Sequence, residues 1–151
     1  MEDKIQELHD AFVSATKKTF SEMAFVDVTE STRPSDELTY SHIIYQTFLE
    51  PQRGECALFM PTGCKKMIVE NIYGEDWNTL NPDQTDDCLL ELCNVLAGNF
   101  LINLYGADAH RDMSVPQLLF DEAHLTHGKN TIKYHFYAEE IPFKTHLTIE
   151  T

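Results

Sequence analysis

The stretch Thr85–Tyr105, TDDCLLELCNVLAGNFLINLY, decides the fold. At about 100° per residue on an α-helix, Asp87, Glu91, Asn94 and Gly98 lie at offsets of four, three and four and share an arc of roughly 60°. Nearly every other position is apolar: Leu89, Leu90, Leu92, Val95, Leu96, Phe100, Leu101, Ile102 and Leu104 cover most of the circumference. Such a helix is largely buried and keeps one narrow polar strip.

Upstream, Ile5, Leu8, Phe12, Val13, Ala15, Thr16 and Phe20 recur at near-helical spacing and predict an amphipathic helix over Met1–Met23. Phe25–Val28 reads as a short strand and Ser31–Asp36, with Pro34, as a loop. Leu38–Leu49 is rich in β-branched and aromatic residues; Pro51–Gly54 is a turn, and Glu55–Met60 returns as the hairpin partner. Pro61, Thr62 and Gly63 open a second helix, Cys64–Tyr73, which Gly74 closes. Laying its Asn71 over Asn94 puts Ile68 where the long helix has Glu91, so one polar pair is expected per chain. Asn81-Pro82-Asp83 leads into the long helix, with Thr85 or Asp83 as its N-cap, and Gly106 ends it. Three strands are predicted downstream, Gln117–His124, Thr131–Tyr137 and Phe143–Glu150, with turns at Thr126–Asn130 and Glu139–Pro142. The expected fold is α/β of the α+β kind: a mostly antiparallel sheet with helices packed on it, as one domain over residues 1–151.

Twenty-five acidic against 11 basic residues give a formal charge of −14, and no Lys/Arg patch interrupts it. That balance opposes a phosphate backbone, so neither nucleic acid nor anionic membrane is expected as a partner. The opening MEDKIQELHDAF lacks the basic start and apolar run of a secretory signal. Asp86, Asp87, Glu91, Asn94, Asn99 and Asn103 interrupt the most hydrophobic region, so no membrane span is expected and the protein is read as cytoplasmic. Cys56, Cys64, Cys88 and Cys93 form no CxxC pair and are expected to be small buried hydrophobes. His124 and His127 are three apart near a predicted strand end, without an HExxH pattern, and are not expected to hold a metal. His135 and His146 are assigned to an exposed sheet face, and Tyr134, Phe136 and Phe143 to the core.

Stability alone accounts for part of the polar strip, because acidic side chains favour the positive end of a helix and Asp86, Asp87 and Glu91 lie toward it. Asn94 and Gly98 have no such explanation: Asn is a mediocre helix former and Gly costs about 1 kcal/mol relative to Ala. Two unfavourable choices on the face of Glu91 point to a contact surface, where Gly98 would admit a close partner backbone. A carboxylate and an amide supply no nucleophile, and no Ser-His or Cys-His arrangement stands beside them. An amide can orient an attacking water, and phosphoryl transfer depends largely on positioning and charge.

The order Asp87-x-x-x-Glu91-x-x-Asn94, followed by Pro116, resembles the signature of the CheC/CheX/FliY phosphatases, and the single copy in the setting NVLAGN is most similar to CheX. The interval from Asn94 to Pro116 is one residue shorter than is usual there. The resemblance implies a phosphatase of a phosphorylated CheY-type response regulator. Asn94 would align water with the aspartyl phosphate, Glu91 would engage a receiver lysine, and Asp87, Gly98 and Pro116 would contact the partner. It also implies that Mg²⁺ belongs to the receiver, with no cofactor of this chain's own, and that a homodimer forms by continuing a sheet between subunits through the terminal strands. The alternative is a non-catalytic binding module for a receiver or a flagellar-switch partner.

Overall fold

The chain runs α1 (Glu2–Ala24), β1 (Val28–Glu30), β2 (His42–Glu50), β3 (Gly54–Met60), α2 (Thr62–Tyr73), a 3-10 turn at Trp77–Thr79, α3 (Pro82–Tyr105), β4 (Asp112–Met113), β5 (Gln117–Leu119), β6 (Thr131–Ala138) and β7 (Ile141–Ile149). This computed structural model describes residues 2–31, 40–122, 125 and 130–150. Among the described residues the strands form one sheet in the order β1-β6-β7-β3-β2-β4, and every pairing is antiparallel. β5 continues along the side of β2 that β4 occupies. The expected antiparallel sheet carrying helices is therefore the fold that forms.

Period-2 alternation assigns the faces. Ile44, Gln46 and Phe48 of β2 are buried on one side, as are Tyr134 and Phe136 of β6 and Phe143 and Leu147 of β7. Against that side α1 and α3 pack, and aromatic rings join the layers. Tyr134, Phe12, Phe100 and Phe48 follow one another at centroid separations of 5.4, 5.5 and 5.7 Å, linking β6, α1, α3 and β2. Phe20 stacks on Phe143 at 5.0 Å, which stacks on Phe136 at 5.2 Å. Such pairs contribute about 0.5–1.5 kcal/mol each beyond the area they bury, so α1 is fastened along most of its length. All four cysteines are buried and free, and burial pushes the Cys64 thiol up to about 12 and Cys88 to about 11.

Several boundaries differ from expectation for local reasons. Phe25 is not in a strand: it terminates α1 with φ 54, its N–H bonding to the Ser21 carbonyl, and β1 begins only at Val28. The strand expected over Gln117–His124 stops at Leu119, and Phe120 stands 79% exposed; positions 123 and 124 lie outside the described residues. The metal reading of His124 and His127 and most of the loop expected over Ser31–Asp36 likewise fall outside them. The first residues expected in the strand from Leu38, 38 and 39, do so too. β3 starts at Gly54, where a Cβ would run into the carbonyl oxygen of Thr148, so the close approach of β7 demands glycine.

The second face of the sheet is not the open surface assigned to the histidines. His146 is 4% exposed, its ring 4.4 Å from Phe59, which belongs to a smaller cluster with Ile43, Ala57 and Leu125. The terminal strands are not both edges either: β7 is flanked by β6 and β3. α3, despite its interruptions, is long and apolar enough by composition to cross a membrane, but most of its apolar side chains, among them Leu89, Leu92, Leu96, Phe100 and Leu101, belong to the protein core.

Candidate functional site

The phase of the polar strip is set where α3 begins. The Asn81 side chain accepts the Gln84 N–H and the Gln84 side chain accepts the Asn81 N–H, a reciprocal cap with Pro82 in the first turn. The helix therefore starts earlier than a cap at Asp83 or Thr85 would allow. Its asparagines then divide by face. Asn99 donates to Thr19 Oγ1 at 3.0 Å and Asn103 to the Ala11 carbonyl at 3.1 Å, tying α3 to α1. Asn94 points instead toward β2.

Asp87, Leu90, Glu91 and Asn94 form one wall of an open groove of about 540 Å³, and Met113, Ser114, Val115 and Pro116 form the other. The structure thus brings together four of the residues singled out from sequence, Asp87, Glu91, Asn94 and Pro116. Asp87 and Glu91 also border a second hollow on their other side, with Met23, Ile72, Tyr73 and Cys88. The two carboxylates consequently stand on a ridge between two depressions. Asp86 belongs elsewhere: its Oδ1 lies 3.3 Å from the Nζ of buried Lys65, which also contacts His42 Nδ1 at 3.2 Å. Asp86 is thus structural, but through an ion pair with α2 and not through the helix end, where Asp83 is the acidic residue of the first turn. Asp87 and Glu91 form no ion pair among the described residues, and both are exposed.

The opposite wall is an interrupted sheet edge. Ser114 N–H donates to the Thr47 carbonyl at 2.9 Å and Ser114 Oγ accepts the Thr47 N–H at 3.0 Å, while Gln117 lies opposite Tyr45. Between these points the edge has two residues, Val115 and Pro116, where β2 has only Gln46. The extra residue bulges the chain outward, and proline is tolerated because no ladder N–H is needed there. Val115 is 78% exposed at the rim.

Gln46 was not singled out from sequence, yet it connects the two walls. It is 1% exposed, and its Nε2 donates at 2.8 Å both to Asn94 Oδ1 and to the Ser114 carbonyl. Its Oε1 is buried without a hydrogen-bond partner among the described residues, an arrangement that costs about 1–3 kcal/mol. The signal was available: in HIIYQTFLE a glutamine occupies the core-facing phase between Ile44 and Phe48.

Gly98 lies one turn beyond Asn94 and does not line the groove. A Cβ on it would find nothing nearer than Met113 Cε at 4.0 Å, so the chain's own packing does not demand glycine. Gly98→Ala is expected to stabilise the fold by about 0.5–1 kcal/mol in urea denaturation. α2 has no second strip: Ile68 is buried, and Asn71 donates to the Ala24 carbonyl at 2.8 Å. Among the described residues no three His, Cys, Asp or Glu side chains converge as metal ligands.

A search of curated proteins gives no match. Solved structures give the same fold. CheX from Desulfovibrio desulfuricans superposes with TM-score 0.77 at 17% identity, covering 95% of this chain and 99% of that one. CheX from Vibrio vulnificus does so with TM-score 0.77 at 18% identity, covering 95% and 96%. The CheX–CheY–BeF3–Mg²⁺ complex of Borrelia burgdorferi gives TM-score 0.69 at 15% identity, covering 94% and 97%. Residues 43–139, from β2 to the end of β6 and including both groove walls, match the family model described as chemotaxis phosphatase CheX, and the chain belongs to that family.

Proposed function

We propose that the chain, as one domain over residues 1–151, is a cytoplasmic phosphatase that hydrolyses the aspartyl phosphate of a CheY-type response regulator. One observation carries this reading: Glu91 and Asn94 stand one turn apart on an exposed groove wall in a member of the CheX family, and Glu91 pairs with no cation among the described residues. Among the described residues the groove offers no activated nucleophile, since the Ser114 hydroxyl is engaged with the backbone of Thr47 and no histidine lines it. The chemistry must be completed by what enters. Water attacks phosphorus, the receiver's carboxylate departs, and inorganic phosphate is released, while Asn94 holds the water in line. Glu91 pairs with a receiver lysine and fixes the approach, with Asp87 and Pro116 as further contacts. The CheX of Borrelia burgdorferi was crystallised with CheY, BeF3 and Mg²⁺, and the proposal gives the metal to the receiver here as well.

The test is phosphate loss from a panel of phosphorylated receivers of the same cell, with and without the protein. Acceleration over a receiver's own hydrolysis supports the reading. Binding that leaves every phosphate lifetime unchanged supports a non-catalytic module. A homodimer completes the proposal. Because β7 is internal, sheet continuation must use the sides formed by β1 with β6 or by β4 with β5, and light scattering at micromolar concentration is expected to give twice the chain mass.

A further inference from the structure

We propose that Gln46 is a positioning residue that sets which end of the Asn94 amide enters the groove. The inference rests on the phosphatase reading for its kinetic consequence but not for its geometry. Carboxamide oxygen and nitrogen are assigned from their partners, and here a backbone atom makes the assignment. The Ser114 carbonyl can only accept, so the Gln46 atom 2.8 Å from it is Nε2. That same Nε2 lies 2.8 Å from Asn94, so the Asn94 atom facing it is the acceptor Oδ1. Asn94 Nδ2 is left as the end turned to the groove, neither enclosed nor bonded among the described residues.

The polarity has a chemical consequence. A donor holds the oxygen of a water through one lone pair and leaves the other directed at phosphorus, or it bonds a phosphoryl oxygen as charge develops there. An acceptor in the same place would repel the phosphoryl oxygens. The unpaired Oε1 fits this role, because an apolar residue would satisfy the core more simply than a glutamine that uses only its donors. Gln46 also couples the walls: the Ser114 carbonyl precedes the bulge of Val115 and Pro116, so one buried amide registers the catalytic helix against the rim that meets the partner.

Gln46→Met keeps the side-chain length and removes the donor. Its kcat on a responsive receiver is expected to fall about tenfold. KM and the affinity for the BeF3-activated receiver should stay within about twofold, and thermal stability should be unchanged or higher. Gln46→Glu adds a signature that a purely structural role would not produce. The buried carboxyl keeps a donor while protonated, so activity is expected to fall as pH rises through its ionisation, a step absent from the wild type. A Gln46→Met variant with wild-type kcat, or one that loses only KM, would overturn the inference. Failure of the wild type to act on any receiver counts against the phosphatase reading instead. The geometry is then decided in the isolated protein by NMR of the side-chain amides. The Gln46 Nε2 protons are expected to be protected from solvent exchange and the Asn94 Nδ2 protons to exchange rapidly; the reverse pattern overturns the inference.

Discussion

Replacing Asn94 with alanine is expected to lower kcat for dephosphorylation of a responsive receiver by about 10²–10³-fold, the effect of removing one preorganised donor from a transition state. Affinity for the BeF3-activated receiver should change little, because the groove walls and both carboxylates remain. Removing Asn94 frees the buried Gln46 Nε2 of one partner but leaves it the Ser114 carbonyl, so the fold should tolerate the change. Single-turnover decay of a phosphorylated receiver at saturating protein measures the effect, and a variant as active as the wild type would end the phosphatase reading. Asn94→Asp sharpens the test. The carboxylate keeps the shape and the acceptor toward Gln46 but presents a charged oxygen where the amide presents Nδ2, so it is expected to be at least as impaired as alanine.

The helix that holds Asn94 was legible because its apolar residues leave one gap, and that gap held Asp87, Glu91 and Asn94 together in the folded chain. Period-2 alternation similarly revealed β6 and β7 and the burial of Tyr134, Phe136 and Phe143. What escaped was mostly set by partners distant in sequence. Ser114 pairs with Thr47, so the segment at 112–116 becomes a sheet edge only because β2 lies beside it; alone it reads as a polar connection. His146 looks exposed by alternation, yet Phe59 from β3 covers it.

Other misses were local. The cap at Asn81 is written in Asn81-Pro82-Asp83-Gln84, where the glutamine completes a reciprocal bond that outweighs the capping tendency of Asp83 and Thr85. Phe25 was misplaced because a bulky aromatic rarely adopts the left-handed conformation that ends α1. Gln46 is the instructive case. A polar residue in the buried phase of a strand is the sequence trace of a partner elsewhere, although sequence alone cannot identify that partner as Asn94.

Reversing the charge at Glu91 tests docking separately from chemistry. Glu91→Ala removes one charge-assisted contact worth about 1.5 kcal/mol or more, expected as a rise of roughly tenfold in KM with kcat at saturation nearly preserved. Glu91→Lys adds like-charge repulsion against a receiver lysine, and its KM is expected to rise on the order of 100-fold. Replacing that lysine with glutamate in the receiver should restore much of the loss, and a double-mutant cycle measures the coupling. Wild-type kcat and KM in Glu91→Lys would remove Glu91 from the interface. On the proposed reading the net charge of −14 gives such a pair a purpose: an acidic receiver is repelled at long range, so some short-range attraction must hold it once the surfaces meet. Beyond about 8 Å exposed charges are largely screened at physiological salt, whereas a contact pair is screened much less. Raising ionic strength should therefore speed association of an acidic receiver with wild type and Glu91→Ala alike, while the faster dissociation caused by losing Glu91 persists.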